Sequence, residues 1–327
     1  MSAPPVSGLT STLHKVVELA SLAPSVHNTQ PWWWRVRQNV LELHADPDRQ
    51  LLVADPEGRN MVISCGAALH QAEVAATSLG LRTEIERLPE GDPPGPLARI
   101  TVHPAPQGTP DEDRLRVIEE RRTDRRRFTS WPVPPTRLAA LGRLATPYGV
   151  RAIPLDDVSD RYRVELLVSR AHALQARDPR VRAELESWVD GKRLGQPDGV
   201  HLDVLPPSQS SGDLPSRFPD GTLEDVDRDL GGSDALLVIA TMGDDARSWL
   251  ATGEAMAAVW LGAAADGLSV VPLSQPLEVP ETRLALQHDV LETVAVPQLL
   301  LRIGWQPISR STLPRSPRRP LEEVLRP

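Results

Sequence analysis

The feature that most restricts this sequence is a spacing that occurs twice. Gly66 and Gly80 bracket one largely apolar stretch, and Gly253 and Gly267 bracket another of the same length. Each second glycine is followed by leucine and a strand-like run, at Gly80-Leu81 and Gly267-Leu268. Each half later carries an Arg-Ile pair, at Arg99-Ile100 and Arg302-Ile303. Glycine just past a helical pattern is a natural helix stop. Three correspondences in the same order imply two copies of one α+β unit. The chain has 327 residues, more than one hydrophobic core usually serves, which fits two fused lobes.

Periodicity fills in the units. Leu9, Leu13, Val16, Val17 and Ala20 recur at helical spacing until Pro24 stops the pattern. Residues 32–37 and 40–45 read as strands turned at Gln38-Asn39, followed by a helix over 63–79 and strands over 81–86 and 97–103. PAPQGTP at 104–110 reads as a linker. Beyond it the patterns predict helices over 113–122, 135–145, 159–177, 179–189 and 246–266, and strands over 149–154, 235–241, 268–271 and 298–304. The expected lobes are therefore 1–108 and 109–327. Residues 191–233 are irregular, with Pro206-Pro207 and Gly231-Gly232. A loop of that length in a compact domain is usually functional or disordered.

Hydrophobic residues at 40% and charged residues at 24% allow a normal core and exclude wholesale disorder. The net charge of -8 argues against a nucleic-acid partner. A single cysteine, Cys65, excludes an intrachain disulfide, and the histidines show no paired metal spacing, so no metal is expected. Without a leader-like N-terminus or an apolar run near the ~20 residues that span a bilayer, a cytoplasmic protein is expected.

Three segments carry chemistry. In APSVHNTQPW, Ala23 to Trp32, Pro24 ends a helix while Ser25, Asn28 and Gln30 offer donors and acceptors suited to the edge of a heterocycle. The same residues also suit an ordinary turn. In RRTDRRRF, Arg121 to Phe128, five arginines in seven residues on an acidic chain call for an anion. A solvated face paired with Glu119, Glu120 and Asp124 is the competing reading. The third, RSPRRPLEEVL from Arg315 to Leu325, looks by itself like a basic tail. His27 lies inside the first segment, where a backbone hydrogen bond is its expected role. Trp249 and Trp260 share a helix face and read as core.

These segments resemble the nitroreductase-like FMN proteins, specifically their Acg-like branch. The resemblance covers about residues 9–325. It implies that Arg121, Thr123 and Arg125, with Arg318 and Arg319, hold the FMN phosphate. It implies that Pro24, Ser25, Asn28 and Gln30, ahead of Pro31 and Trp32, contact the flavin and its ribityl chain. In GLSVVPLSQPLE, it places Pro272, Leu273, Ser274 and Gln275 beside the reactive N5 edge. Many relatives have Glu-Gly where Ser274-Gln275 stands, so the groups near N5 differ.

The implied fold is α+β: tandem lobes forming an intramolecular pseudo-dimer, each a mainly antiparallel sheet flanked by helices. Ordinary nitroreductases carry every motif in one shorter subunit and dimerise around two FMN sites. Here the QPW-type loop lies only in the first lobe and the other motifs only in the second. One FMN per chain, in a monomer acting as its own dimer, is the expectation. The implied activity is FMN-dependent transfer of hydride from NAD(P)H to a small organic acceptor such as a nitroaromatic, a quinone or a specific metabolite. An FMN-sequestering role with little turnover is the alternative. Part of 191–233, around Arg217-Phe218, is expected to restrict access to the ring.

Overall fold

The computed structural model describes residues 6–105, 110–189, 195–207, 215–223, 234–306 and 313–327. Most of the expected linker (106–109) and the parts of 191–233 at 191–194, 208–214 and 224–233 lie outside the described residues.

The chain builds two antiparallel four-stranded sheets with matching strand orders, β1-β2-β4-β3 and β5-β6-β8-β7. The first uses β1 (Trp32–Arg37), β2 (Val40–Ala45), β3 (Leu81–Arg87) and β4 (Ala98–Pro104). The second uses β5 (Arg151–Pro154), β6 (Ala235–Thr241), β7 (Leu268–Leu273) and β8 (Val296–Trp305). Alternation along β1 sends Trp32 and Trp34 into the core with no exposed surface, while Trp33 faces the other way and stacks on His44 at 3.8 Å. The tandem α+β pseudo-dimer expected from the sequence is the architecture found.

Helix α1 (Val6–Ala20) packs its Leu13, Val16, Val17 and Ala20 stripe inward. Helices α2 (Arg59–Ser78) and α7 (Ala246–Ala265) occupy equivalent places in the two halves and pack against each other at the centre. Both are buried on most sides, so neither carries a polar face. Their backbones meet at the two glycines of the repeat. A Cβ on Gly66 would collide with the carbonyl oxygen of Leu250, and one on Gly253 with that of Ile63.

The second half also holds α3 (Glu112–Glu120), α4 (Pro135–Arg143), α5 (Val158–Arg177) and α6 (Pro179–Trp188). Short helices α8 (Gln275–Glu278), α9 (Pro280–Ala285) and α10 (Leu321–Val324) had no sequence signal of their own. The C-terminus returns to the first sheet. Leu325 bridges Trp34 in parallel, and the Arg326 amide donates to the Trp34 carbonyl at 2.8 Å. The final residues, sequentially part of the second half, thus lie on the first. Among the described residues, no helix is long and apolar enough to cross a membrane.

The central contact yields two expectations. Gly253→Val forces a branched side chain into a backbone–backbone approach and should destabilise the fold by about 3 kcal/mol, whereas Gly8→Ala, where a Cβ meets nothing within 4 Å, should not. Denaturant midpoints check the pair. The second concerns His70 on α2, whose Nδ1 lies 2.7 Å from the Tyr148 hydroxyl. Burial, helped by Arg114, pushes its pKa down to about 4. A depressed folded pKa gives stability that is complete above the ordinary value near 6.5 and is lost as pH falls towards 4. Moving from pH 7.5 to 5 should cost on the order of 2 kcal/mol through this group. Urea titrations at the two pH values should show His70→Asn lacking that share.

Candidate functional site

The loop between α1 and β1 is locally strained. His27, Asn28 and Gln30 all adopt positive φ, at 45°, 55° and 49°. Non-glycine residues enter the left-handed region only when their surroundings hold them there, and such residues gather at functional loops. The Gln30 amide donates to Ser25 Oγ at 2.9 Å, and the Val26 amide to Ser64 Oγ on α2 at 3.2 Å.

Beside this loop lies a cavity of about 180 Å³, walled by both halves. Helix α2 supplies Asn60, Ile63 and Ser64, and α7 supplies Met256 and Trp260. Of the residues expected from sequence, Pro24, Ser25, Thr123, Arg125, Pro272, Leu273, Ser274 and Gln275 all line it. Pro215 to Phe218, the described residues around the expected access-limiting pair, form another part of the wall.

A smaller pocket adjoins it, sharing Thr123 and bounded by Arg121, Arg122, Arg315 and Arg318. Arg121 stacks its guanidinium over Trp260 at 4.5 Å, linking the pocket to the main cavity. Among the described residues, the Arg121 guanidinium has one hydrogen bond, Nη2 to the Leu22 carbonyl at 2.9 Å, and its Nε and Nη1 and the Nε of Arg318 are buried without partners. Burial, then repulsion from Arg318 and Arg122, lowers Arg121 to about 9, and burial, then repulsion from Arg122 and Arg315, lowers Arg318 to about 10. Among the described residues, no carboxylate pairs with either. Buried cations without counter-charge are costly, and an anion in this pocket would relieve them.

Asn28 stands next to Arg318 rather than in the cavity. Its Oδ1 accepts from Arg318 Nη1 at 2.9 Å, and its Nδ2 donates to the carbonyls of Gly199 and Pro317. Gln30 and Arg319 line neither pocket. Gln30 Oε1 accepts from the Arg319 amide at 2.8 Å, and the Arg319 guanidinium donates to the carbonyls of Gln30 and Trp32. That arginine pins the returning tail to the start of β1. The RRTDRRRF cluster is not a solvated face: Arg121 is buried, and so is Arg126, paired with Asp124 at 2.8 Å.

A polar chain runs along the other wall. Gln275 Nε2 donates to Gln175 at 2.9 Å, and Gln175 donates to Glu278 at 2.8 Å. Arg217 pairs with Glu278 at 3.0 Å, and its Nη1 lies 3.1 Å from His27 Nε2. His27 therefore bonds a side chain, not the expected backbone. Burial and then Arg217 lower His27 to about 3. Burial alone would raise Glu278, but Arg217 and the Gln175 hydrogen bond hold it at about 2. Arg125 lies over the Phe218 ring at 4.9 Å, and burial lowers it to about 10.

Sequence reasoning missed the cavity faces of α2 and α7, because helices buried on most sides carry no stripe that singles out a ligand-facing side. Trp260 belongs to the buried core, as expected, and also walls the cavity. Arg302, flagged only as part of the repeat, also lines the cavity. Glu278 carried no signal beyond its place in the GLSVVPLSQPLE segment.

An apolar slot that ends in an arginine-lined pocket, at the joint of two related α+β halves, defines a two-lobed protein able to seat a planar ligand with an anionic tail. No family profile matches the sequence. A Mycobacterium tuberculosis protein named "putative NAD(P)H nitroreductase" is 39% identical over 317 residues, spanning 96% of this chain and 91% of the relative. Another from the same organism, "putative NAD(P)H nitroreductase acg", is 32% identical over 322 residues, spanning 96% of this chain and 95% of its own. The crystal structure of a "putative nitroreductase" from Anabaena variabilis shares the fold, with a TM-score of 0.50 at 11% identity over 94% of this chain and 90% of that one. The chain belongs to the nitroreductase-like family of oxidoreductases, in its Acg-like branch.

The arginine pocket can be tested without assuming its ligand. Arg121→Met removes a poorly satisfied buried cation, so it should leave the ligand-free protein as stable or stabilise it by about 1 kcal/mol. Millimolar inorganic phosphate should raise the melting temperature of the parent protein, and Arg121→Met should abolish that rise. Calorimetry with phosphate, against chloride at equal ionic strength, reads both effects.

Proposed function

We propose that this chain binds one FMN and uses it to carry hydride from NAD(P)H to a small organic acceptor, such as a nitroaromatic, a quinone or a specific metabolite. The observation that carries the reading is the set of unpartnered guanidinium nitrogens on Arg121 and Arg318 beside an apolar slot. Arg121, Arg122, Thr123, Arg315 and Arg318 would hold the FMN phosphate. Trp260, Met256 and Ile63 would flank the isoalloxazine, with Pro272 to Gln275 along one edge. Asn28 acts on this site through Arg318, and Arg319 by anchoring the tail that carries Arg318. When bound, FMN supplies the redox chemistry, accepting and donating hydride.

The protein's own titratable groups support leaving the chemistry to the cofactor. Burial and Arg217 hold His27 neutral, and Arg217 holds Glu278 ionised, so neither is poised near neutral pH as a general acid or base. Both halves contribute walls to the same cavity, which supports one FMN per chain and a monomer acting as its own dimer. A second reading, retention of FMN with little turnover, has its own support. Residues 215–218 wall the cavity and are fastened by the buried Arg217–Glu278 pair, which favours confinement.

Flavin titration of the purified chain should give a single FMN per polypeptide. Anaerobic NADH or NADPH should then bleach the flavin, and a quinone should restore its colour. Failure to bind FMN, or two FMN per chain, refutes the proposal. Bound FMN that neither nicotinamide reduces selects retention over turnover.

A further inference from the structure

Among the described residues, the hydrogen bond and the ring contact that join Arg217 and Phe218 to the first half both end on His27. Arg217 Nη1 lies 3.1 Å from His27 Nε2, and the Phe218 ring meets the imidazole edge-on at 5.6 Å between centroids. A guanidinium can only donate, so Nε2 must accept, and the neutral imidazole carries its hydrogen on Nδ1. The backbone holds His27 in the left-handed region, at φ 45°, and the side chain is buried, with Nδ1 unpartnered. Among the described residues, a positively charged His27 would face Arg217 and Arg125 with only Glu278 to offset them. A strained, buried, neutral acceptor opposite a donor-only side chain from a distant segment is a specific arrangement.

We propose that His27 is a positioning residue: its Nε2 fastens Arg217, and with it residues 215–218, against the cavity and so governs how readily a bound ligand leaves. The role rests on the FMN reading only for the ligand's identity. The fastening itself is a property of the chain.

Two variants separate the acceptor from the ring. His27→Phe keeps an aromatic edge for Phe218 and removes Nε2, whereas His27→Gln returns an acceptor. Loss of a hydrogen bond from a charged donor should speed release of segment 215–218 about ten-fold. Limited trypsin cleavage after Arg217, relative to the exposed Arg182, reads this without any flavin. His27→Phe should raise that ratio about ten-fold, and His27→Gln should stay within about three-fold of the parent protein. FMN dissociation, followed by recovery of flavin fluorescence on dilution, should change in the same order.

A double-mutant cycle guards against a merely structural effect. If His27 acts through Arg217, adding His27→Phe to Arg217→Gln should not accelerate FMN release further. Unchanged cleavage after Arg217 in His27→Phe overturns the assignment. So does equal acceleration by Phe and Gln, or additivity in the cycle. A protein that binds no FMN defeats the proposed function, and the cleavage ratio alone then decides the role of His27.

Discussion

The close approach of α2 and α7 is the constraint on which the rest depends. Glycine at positions 66 and 253 lets two buried helices touch backbone to backbone, where any Cβ would meet a carbonyl oxygen. That contact sets the separation of the two halves. The cavity is walled by Asn60, Ile63 and Ser64 on one helix and by Met256 and Trp260 on the other. Its width therefore follows from a packing distance that two absent side chains fix. Arg121, stacked on Trp260, inherits the same frame, so the arginine-lined pocket is positioned by the helix crossing too.

A fold with two equivalent halves should offer two equivalent cavities, yet side chains break the symmetry. Arg87 lies as far beyond Gly80 as Ser274 lies beyond Gly267, and Glu254 follows Gly253 as Ala67 follows Gly66. On the first side, Ser274 borders an open slot. At the related place, Arg87 reaches α7 and donates two hydrogen bonds of 2.8 Å to the buried carboxylate of Glu254. A bidentate pair of this kind fills space and satisfies both charges internally. Nearby, His70 and Tyr148 bond each other. Small or apolar residues on one side and a self-satisfied ionic cluster on the other are how one backbone plan yields unlike sites.

Much of this was legible because glycine and proline act locally. Gly80 and Gly267 adopt positive φ just past their helices, and Pro24 ends a helical pattern, so the repeat and the loop could be read directly. Side-chain direction was less accessible. Asn28, Gln30, Arg318 and Arg319 sit in two motifs at opposite ends of the sequence, and only the return of the C-terminal tail across β1 decides which faces which. That return is a long-range event, and it turns Arg318 to the arginine-lined pocket and Arg319 to the β1 backbone. Short helix α8 was equally hidden, since four residues hold no period.

Electrostatics tie the tail, the loop and the helix crossing together. The chain carries a net charge of -8, yet it gathers four guanidinium groups around a pocket where, among the described residues, no carboxylate pairs with Arg121 or Arg318. Burying one unpaired cation costs several kcal/mol in principle, and repulsion between neighbours adds to it. Three devices lower that cost: the aromatic face of Trp260 beneath Arg121, carbonyls of Leu22, Ala23 and Pro317 turned toward Arg121 and Arg318, and Asn28 Oδ1 beside Arg318. Carbonyl and amide oxygens bring partial charge only, and among the described residues the Nε of both arginines still lacks an acceptor. A dianionic group would complement such a pocket; on the proposed reading the ligand would become part of the folded energetics, and the strained 27–30 loop would lie beside the charge it helps to organise.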